Sequence, residues 1–221
     1  MLSSKKRLSR EISTIGDLSG QGIYYNPDDT TMNKGHALIL GPADSAYPHC
    51  LFFFRFEFPD DYPFAPPKVT FLSSDGKTRF HPNLYTEGKV CLSILGTYTG
   101  PSWQSTMSFS MILLSLKALL DSNPLTHEPG YEKYTLDYPK ALHYAQYVKA
   151  KMVELTMNEL KTKRLLSMFE EDLGVVLPEL KKNLYSVIRD QAQYAETQYA
   201  HLPYGMVGST QWKKLLSLTV E

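Results

Sequence analysis

The sequence FHPNLYTEGKVCLSILGTYTGPSW, Phe80–Trp103, is a long irregular stretch that carries a cysteine, Cys91, in a loop-rich setting. Asn83 precedes this cysteine, and its amide can donate hydrogen bonds without taking a charge. His81 and Pro82 are expected to stiffen the turn that presents Asn83. A thiol nucleophile needs a reachable sulfur, a group that stabilises an oxyanion and a backbone that is held still. On these residues alone, Cys91 is either such a nucleophile or a small buried hydrophobe.

The composition is that of an ordinary globular protein. The chain has 221 residues, of which 43% are hydrophobic and 21% are charged, so it can build a core for one domain with an appendage or for two small domains. Lys+Arg and Asp+Glu both number 23, which makes the net charge zero. No global field draws the chain to nucleic acid or to an anionic membrane, and neither is predicted as a partner.

The two cysteines, Cys50 and Cys91, have no metal-binding or CxxC spacing, which predicts no metal site and no thioredoxin-like redox chemistry. We expect two free thiols in a reducing compartment, and Cys50 is interpreted as an inert packing residue. The N-terminus lacks the apolar core of a secretory signal, and the longest apolar stretch, Met111–Leu120, is too short to span a bilayer. Cytoplasm, nucleus or both are the predicted locations.

Strand patterns dominate the first half of the chain. Gly35–Leu40, Leu51–Phe58 and Lys68–Leu72 read as strands, with LFFFRFEF alternating like a half-buried strand after its bulky start. Short turns between the strands predict an antiparallel meander. The proline-rich segment FPDDYPFAPPKV between the last two strands cannot be helix or central strand, so we expect a rigid extended loop.

Helical patterns open and close the chain. The predicted helices are Ser3–Ser19, Thr106–Leu120, Pro139–Leu155, Met157–Glu171, Pro178–Tyr199 and a short one at Gln211–Leu218. The residue pattern along the chain changes after the third of these helices. We therefore predict a core domain over residues 1–155 and a C-terminal helical extension over residues 156–221.

Four segments, in order along the chain, together resemble one known family. They are KKRLSREIS, LILGPADSAYPHCLF, FPDDYPFAPPKVTF and the His-Pro-Asn…Cys-Leu-x-Ile-Leu…Trp pattern of Phe80–Trp103. The match is collinear from about residue 4 to about residue 155, which makes it far more specific than a lone motif. The chain is thereby identified as a member of the ubiquitin-conjugating enzymes. The resemblance implies an α+β ubiquitin-conjugating (UBC) fold, a four-stranded antiparallel meander flanked by helices.

The longer loop CLSILGTYTGPSW and the later NPLTHEPGYE resemble one subgroup of that family. It contains the Apollon-type conjugating proteins and the conjugating enzyme that works with the second ubiquitin-activating enzyme. The resemblance implies an acyltransferase that takes ubiquitin or a ubiquitin-like protein from an activating enzyme as a thioester, and passes it to a substrate lysine or a ligase. No cofactor is implied, because ATP is used by the activating enzyme.

Roles for single residues follow from the resemblance. Cys91 would carry the thioester, while Asn83 would support the oxyanion or brace its loop, two roles that stay open. His81 would be structural support rather than a general base. Glu128, directly before Pro129, would stand where many relatives have the carboxylate that helps the attacking lysine to lose its proton, and a solvated loop carboxylate stays the alternative.

Two further surfaces also follow from the resemblance. Phe64 and Pro63 lie where the family contacts its ligases, although a core position for Phe64 stays an alternative. After the Trp, this chain has Gln104-Ser105-Thr106 where the family usually has Ser-Pro-Ala, which argues against ordinary RING-type ligases. The basic residues of the first helix correspond to the docking site for the activating enzyme. They are Lys5, Lys6, Arg7 and Arg10.

Three alternative functions make different demands on the sequence. A Cys-His-Asn hydrolase draws these residues from distant segments and needs the histidine as a base, whereas here they share one loop in reversed order. A non-catalytic module that binds ubiquitin or a partner through the same fold is the alternative, although such variants typically lack the cysteine. The third is that residues 156–221 carry the main activity, as an interaction domain.

Overall fold

A computed structural model describes residues 2–219, with side chains from residue 4 onward, and divides the chain into two compact units. The first unit contains the residues up to Leu40, Leu51–Gly76 and Asn83–Leu119. The second contains Gly41–Cys50, Lys77–Pro82 and the residues from Leu120 onward. Each unit combines segments from different parts of the sequence, so the units do not correspond to a single boundary along the chain. The predicted boundary at residue 155 therefore stays a prediction.

A four-stranded sheet forms the centre of the first unit. Its strands are β1 (Ile23–Pro27), β2 (Lys34–Leu40), β3 (Leu51–Glu57) and β4 (Lys68–Phe71). They lie in the order β1-β2-β3-β4, and every neighbouring pair is antiparallel. The predicted meander is confirmed. The residue pattern located β2, β3 and β4 to within one residue at each end but did not reveal β1, which has only five residues and ends in Asn-Pro.

Aromatic packing joins helix α2 (Phe109–Ala118) to the sheet. The ring of Phe109 lies 4.8 Å from that of Tyr25, and 5.0 Å from those of Phe56 and Phe58, all edge to face. Along β3 the buried Phe54 and Phe56 alternate with the exposed Arg55, as the sequence pattern predicts. The helix is shorter than the predicted Thr106–Leu120 at both ends.

The first helix is also shorter than predicted. Helix α1 spans Leu2–Ser13, and a 3₁₀ turn, Ile15–Gln21, follows in place of the second half of the predicted Ser3–Ser19. Gly22 closes this turn with φ 69°, a left-handed conformation that favours glycine. Glycines at 16 and 20 explain the early end, because glycine disfavours α-helix.

One long helix, α3 (Pro139–Thr162), dominates the second unit. The predicted break between Leu155 and Met157 is wrong. No proline or glycine occurs from Lys140 to Leu173, so nothing in the local sequence stops the helix there.

The end of α3 is set by a buried carboxylate. Lys163 adopts a left-handed conformation with φ 53°, and its N–H donates to the carbonyl of Glu159. The Glu159 carboxylate then accepts the backbone N–H groups of Leu165 (2.5 Å) and Leu166 (2.9 Å). These bonds satisfy the amides that follow the helix and fix the chain as it turns away.

Short elements complete the second unit. They are α4 (Glu170–Leu173), α5 (Leu177–Ala192), β5 (Gln198–Tyr199), β6 (Gly208–Ser209) and α6 (Trp212–Ser217). The predicted helix at Gln211–Leu218 is confirmed, whereas that at Pro178–Tyr199 ends early, and a β5–β6 pair replaces its last residues. No helix within residues 2–219 has the length and apolar character needed to cross a bilayer.

Candidate active site

Cys91 and Asn83 lie side by side in the first unit. Leu84 and Val90 form an isolated antiparallel bridge, which brings the residues flanking them together. The Cys91 N–H donates to the carbonyl of Asn83 (2.8 Å), and the Asn83 side-chain Nδ2 donates to the carbonyl of Cys91 (2.7 Å). In this structure the Asn83 amide is therefore bound to the backbone of the cysteine.

A threonine that sequence reasoning missed holds the other side of Cys91. The Thr97 hydroxyl donates to the carbonyl of Val90 (2.7 Å) and accepts the N–H of Leu92 (3.0 Å). A 3₁₀ turn, Ser93–Leu95, carries the chain from the cysteine to this threonine. The residues before and after Cys91 are thus tied to one hydroxyl group. A lone threonine in a loop gives no signal of this in the sequence.

The thiol of Cys91 is less accessible than the sequence prediction of a reachable sulfur implies. Only 4% of the residue surface is exposed, and Asn83 is similarly buried at 7%.

The loop with the predicted ligase contacts is tied to the Cys91 segment. The indole Nε1 of Trp103 donates to the carbonyl of Pro63 (2.7 Å), and its ring lies 6.0 Å from that of Tyr62. The neighbouring Phe64 is 76% exposed, so the alternative that placed it in the core is wrong. An exposed phenylalanine on an anchored loop is suited to contact a partner.

The four basic residues of α1 differ in their exposure to solvent. Three are exposed: Lys5, Lys6 and Arg10. Arg7 is half-buried, and its guanidinium pairs with Glu11 and donates to the carbonyl of Met107 (3.2 Å). Glu11 in turn accepts the backbone N–H of Phe109 (2.9 Å), which caps the start of α2. Arg7 therefore helps to join α1 to α2 in addition to any docking role.

In the second unit, His81 is fully buried, and its ring centroid lies 4.7 Å from that of His127. His127 is held by a hydrogen bond between its Nε2 and the Asp121 carboxylate (2.8 Å). A ring closed off from solvent and packed on another ring suits structural support better than proton transfer with bulk water.

Cys50 is shielded from solvent more completely than Cys91. It has no exposed surface, and desolvation by burial raises the pKa of its thiol to about 12. A thiol with so high a pKa is almost entirely protonated near neutral pH and is a poor nucleophile. The interpretation of Cys50 as an inert packing residue is confirmed.

Comparison with known proteins decides the family. A family model described as ubiquitin-conjugating enzyme matches residues 7–152, about two thirds of the chain. This chain belongs to the ubiquitin-conjugating enzyme family. The matched region contains both members of the Cys91–Asn83 pair, the Phe64 loop and Glu128.

Individual relatives confirm the subgroup of conjugating enzymes. Human ubiquitin-conjugating enzyme E2 Z is 45% identical over 128 residues, which cover 58% of this chain and 36% of that protein. Human BIRC6, a dual E2 ubiquitin-conjugating enzyme/E3 ubiquitin-protein ligase, is 39% identical over 138 residues, 58% of this chain and 3% of that protein. The chain thus spans about a third of the length of the E2 Z relatives.

A viral relative covers more of the chain. A probable ubiquitin-conjugating enzyme of Acanthamoeba polyphaga mimivirus is 30% identical over 204 residues, which cover 86% of this chain and 14% of that protein. A match of that extent must reach beyond residue 152. Similarity within the family therefore continues into the C-terminal extension.

The extension of this conjugating enzyme touches one predicted site residue. Glu128 is half-buried, and its carboxylate Oε2 accepts the hydroxyl of Tyr204 (2.6 Å). The two residues are 76 positions apart, and Tyr204 belongs to no motif. Sequence reasoning missed this contact because nothing local marks it.

Proposed function

We propose that this chain is a ubiquitin carrier. Cys91 accepts the C-terminal carboxyl of ubiquitin or a ubiquitin-like protein as a thioester from an activating enzyme, and passes it to a substrate lysine or a ligase. The observation that supports this most is the pairing of Cys91 with Asn83, the two signature residues, by backbone and side-chain hydrogen bonds. Family membership supports the same reaction.

Loading is a thiol exchange. The Cys91 thiolate attacks the carbonyl carbon of the thioester on the activating enzyme, the new carbon–sulfur bond forms, the old one breaks, and the donor thiolate leaves. No oxidant or reductant is consumed, and thiol exchange needs little help beyond access and a thiolate. The low exposure of Cys91 favours the extended C-terminal tail of a modifier as the acyl group that enters.

Asn83 braces the nucleophile. Its amide donates to the carbonyl of Cys91, so it holds the peptide group next to the thiol while the acyl carbon is attacked. The oxyanion role requires the same amide to turn toward the reacting carbonyl. The bracing role needs no such change and accounts for the geometry as it stands.

Delivery is an aminolysis. The lysine nitrogen attacks the thioester carbonyl, the amide bond forms, the carbon–sulfur bond breaks, and the Cys91 thiolate leaves. The nitrogen must also lose a proton, and an unperturbed lysine has a pKa of about 10.4. By resemblance, the Glu128 carboxylate receives this proton or orients the amine.

Partner contacts are assigned to two faces. The exposed Lys5, Lys6 and Arg10 dock the activating enzyme, while Arg7 keeps its partner Glu11. Phe64, supported by the Pro63–Trp103 bond, contacts the ligase. Thiol exchange and aminolysis need no metal or small cofactor in this chain, and ATP is used by the activating enzyme. A reducing compartment, cytoplasm or nucleus, keeps Cys91 available.

A charging assay tests the proposal. The purified chain is incubated with activating enzyme, ATP and ubiquitin, or with a ubiquitin-like protein, and resolved on a gel with and without thiol. We expect a thiol-sensitive shift that disappears in Cys91→Ala. Cys50→Ala is the matched control, because it removes the other thiol, and it should charge normally.

Other outcomes are equally informative. A shift that survives Cys91→Ala would place the acyl group elsewhere and refute the assignment. If no activating enzyme and no modifier gives a shift, the carrier function is wrong. The chain would then be a non-catalytic module that binds ubiquitin or a partner.

A further inference from the structure

Tyr204 occupies an unusual position in the C-terminal extension. Its backbone lies in the left-handed region, with φ 61° and ψ 23°, and Gly205 follows with φ 68°. A residue with a bulky side chain seldom adopts this conformation, because its Cβ crowds the backbone. Such strain persists only where surrounding contacts enforce it, and it directs attention to what the side chain does.

The side chain of Tyr204 contacts Glu128, Arg79 and Tyr144 within the second unit. Its hydroxyl donates to the Glu128 carboxylate (2.6 Å). The guanidinium carbon of Arg79 lies 5.0 Å from the centre of its ring, and the ring of Tyr144 meets it edge to face at 6.0 Å. The phenol is thus held by its ring and presents its hydroxyl to one carboxylate.

The backbone on both sides of Tyr204 is also anchored. Leu202 and Tyr199 pack with Tyr147 of α3 in a buried cluster, and Met206 packs against it. The Leu202 N–H donates to the carbonyl of Met206 (3.1 Å), which closes a tight loop around Tyr204. The extension therefore presents this hydroxyl from a fixed base.

We infer that Tyr204 is a positioning residue for Glu128 in the transfer of the modifier to lysine. This inference rests on the proposed function, in which Glu128 serves the aminolysis. The hydroxyl restricts the rotation of a half-buried carboxylate and leaves its other oxygen, Oε1, for the amine. Aminolysis then depends on a residue of the C-terminal extension, whereas charging of Cys91 does not.

Arg79 completes the arrangement. Its Nε donates to the carbonyl of His81 (3.1 Å), and its Nη2 donates to that of Pro82 (2.6 Å). The same guanidinium lies over the Tyr204 ring, so one cation joins the extension to the His-Pro segment of the family signature. Tyr204 thereby contacts Glu128 directly and is connected to the His-Pro segment through Arg79.

The test uses the full chain, charged on Cys91, and follows discharge to free lysine at several lysine concentrations. Tyr204→Phe removes only the hydroxyl. We expect normal charging, a discharge rate lowered about 3–10-fold, the size typical of one lost hydrogen bond, and no change in the melting temperature beyond about 2 °C. Tyr194→Phe is the matched control. It makes the same change at a 69% exposed tyrosine of the extension and should leave discharge at the wild-type rate.

A double variant separates positioning from plain structural support. Because Tyr204 acts through Glu128, adding Tyr204→Phe to Glu128→Ala should slow discharge no further. Wild-type discharge by Tyr204→Phe, or additive effects in the double variant, would overturn the inference while leaving the carrier function intact. Failure of the unmodified chain to charge at all would instead refute the proposed function.

Discussion

The Cys91 segment and the C-terminal extension are both held in place, but by different means. Phe80–Trp103 has almost no regular structure, and hydrogen bonds from Asn83 and Thr97 fix its backbone around the cysteine. Residues 156–219 of the extension are largely helical, and packing of side chains such as Leu202 holds the non-helical part.

The two regions also differ in how far apart their contacting residues lie in the sequence, and this distance affects whether a contact can be recognised from sequence alone. The hydrogen bonds that Asn83 and Thr97 make around Cys91 join residues less than ten positions apart, and the Cys91–Asn83 pair leaves a compact motif. The contact of the extension with Glu128 joins residues 76 positions apart, and any tyrosine in any loop would look the same in sequence. The short-range pair of Cys91 and Asn83 is recognisable as a motif, whereas the bonds of Thr97 and the long-range bond of Tyr204 emerge only from the fold.

The largest expected effect tests the hydrogen bonds around Cys91. In Asn83→Ala the carbonyl of Cys91 loses its side-chain donor, and the nucleophile is no longer braced. We expect discharge to lysine to slow by about 100-fold, because misplacement of a reacting group can cost that much in rate. Under the bracing role, charging should slow as well. Both rates are measured from single-turnover gels.

Asn33→Ala is the control for that variant. Asn33 also donates its side-chain amide to a backbone carbonyl, that of Phe58 (3.3 Å), but away from the cysteine. Its loss should cost about 1 kcal/mol of stability and leave both rates unchanged. If Asn83→Ala charges normally and loses only discharge, the oxyanion role is correct and the bracing role is wrong.

The fold was predictable wherever periodicity is strong. The alternating β3 and its neighbours β2 and β4 follow from the residue pattern, and the order of the four strands follows from the family resemblance. The predicted helix break near residue 156 is wrong, because a change in the residue pattern does not stop a helix where proline and glycine are absent. The helix ends instead where Glu159 captures two later amides, a contact that is formed only on folding.

Site residues show the same limit. The positions of Cys91 and Asn83 follow from a motif, yet the motif does not reveal that the amide binds the cysteine backbone. Thr97 carries no signal, since hydroxyl groups in loops are common. The exposure of Phe64 could not be decided from sequence, because a phenylalanine on a proline-rich loop can point to either side.

A second prediction tests the packing of the extension. Leu202 is 5% exposed and belongs to the cluster with Tyr147 and Tyr199. Leu202→Ala should lower the free energy of unfolding by about 2–3 kcal/mol, through lost burial and a residual cavity. Urea unfolding measures this loss. Val207→Ala, at a 65% exposed position of the same segment, should change stability by no more than about 0.5 kcal/mol.

The behaviour of Leu202→Ala also tests whether packing holds the extension in place. Folded Leu202→Ala should still charge on Cys91, since the cluster of Leu202 with Tyr147 and Tyr199 lies in the second unit and Cys91 lies in the first. If Leu202→Ala unfolds at the same urea concentration as the wild type, the extension does not contribute to the stability of the fold, and a role as a separate recruiting arm gains support.

A smaller effect is expected at Thr97. Thr97→Val keeps the shape of the side chain but removes the hydroxyl that joins Val90 to Leu92. We expect about 1 kcal/mol of lost stability and a discharge rate lowered about 3–5-fold, because one hydrogen-bonding group is removed. Thr97→Ser retains the hydroxyl and should restore most of the rate. Equal rates for the valine and serine variants would show that the hydroxyl does not hold the cysteine.

The smallest intrinsic effect is expected at Phe64, whose neighbour Pro63 is bonded to Trp103 of the Cys91 segment. Its ring is exposed, so Phe64→Ala removes no core contact and should leave charging and discharge to free lysine unchanged. Discharge stimulated by a ligase should fall at least tenfold, because a rigid exposed aromatic side chain is the kind of residue that dominates interfaces. Tyr98→Ala changes another exposed aromatic residue of the first unit and serves as the control. Its ligase-stimulated discharge should stay at the wild-type rate. A loss of intrinsic discharge in Phe64→Ala would mean that this loop shapes the reaction itself, and that the hydrogen-bonded region around Cys91 extends further than its short-range contacts suggest.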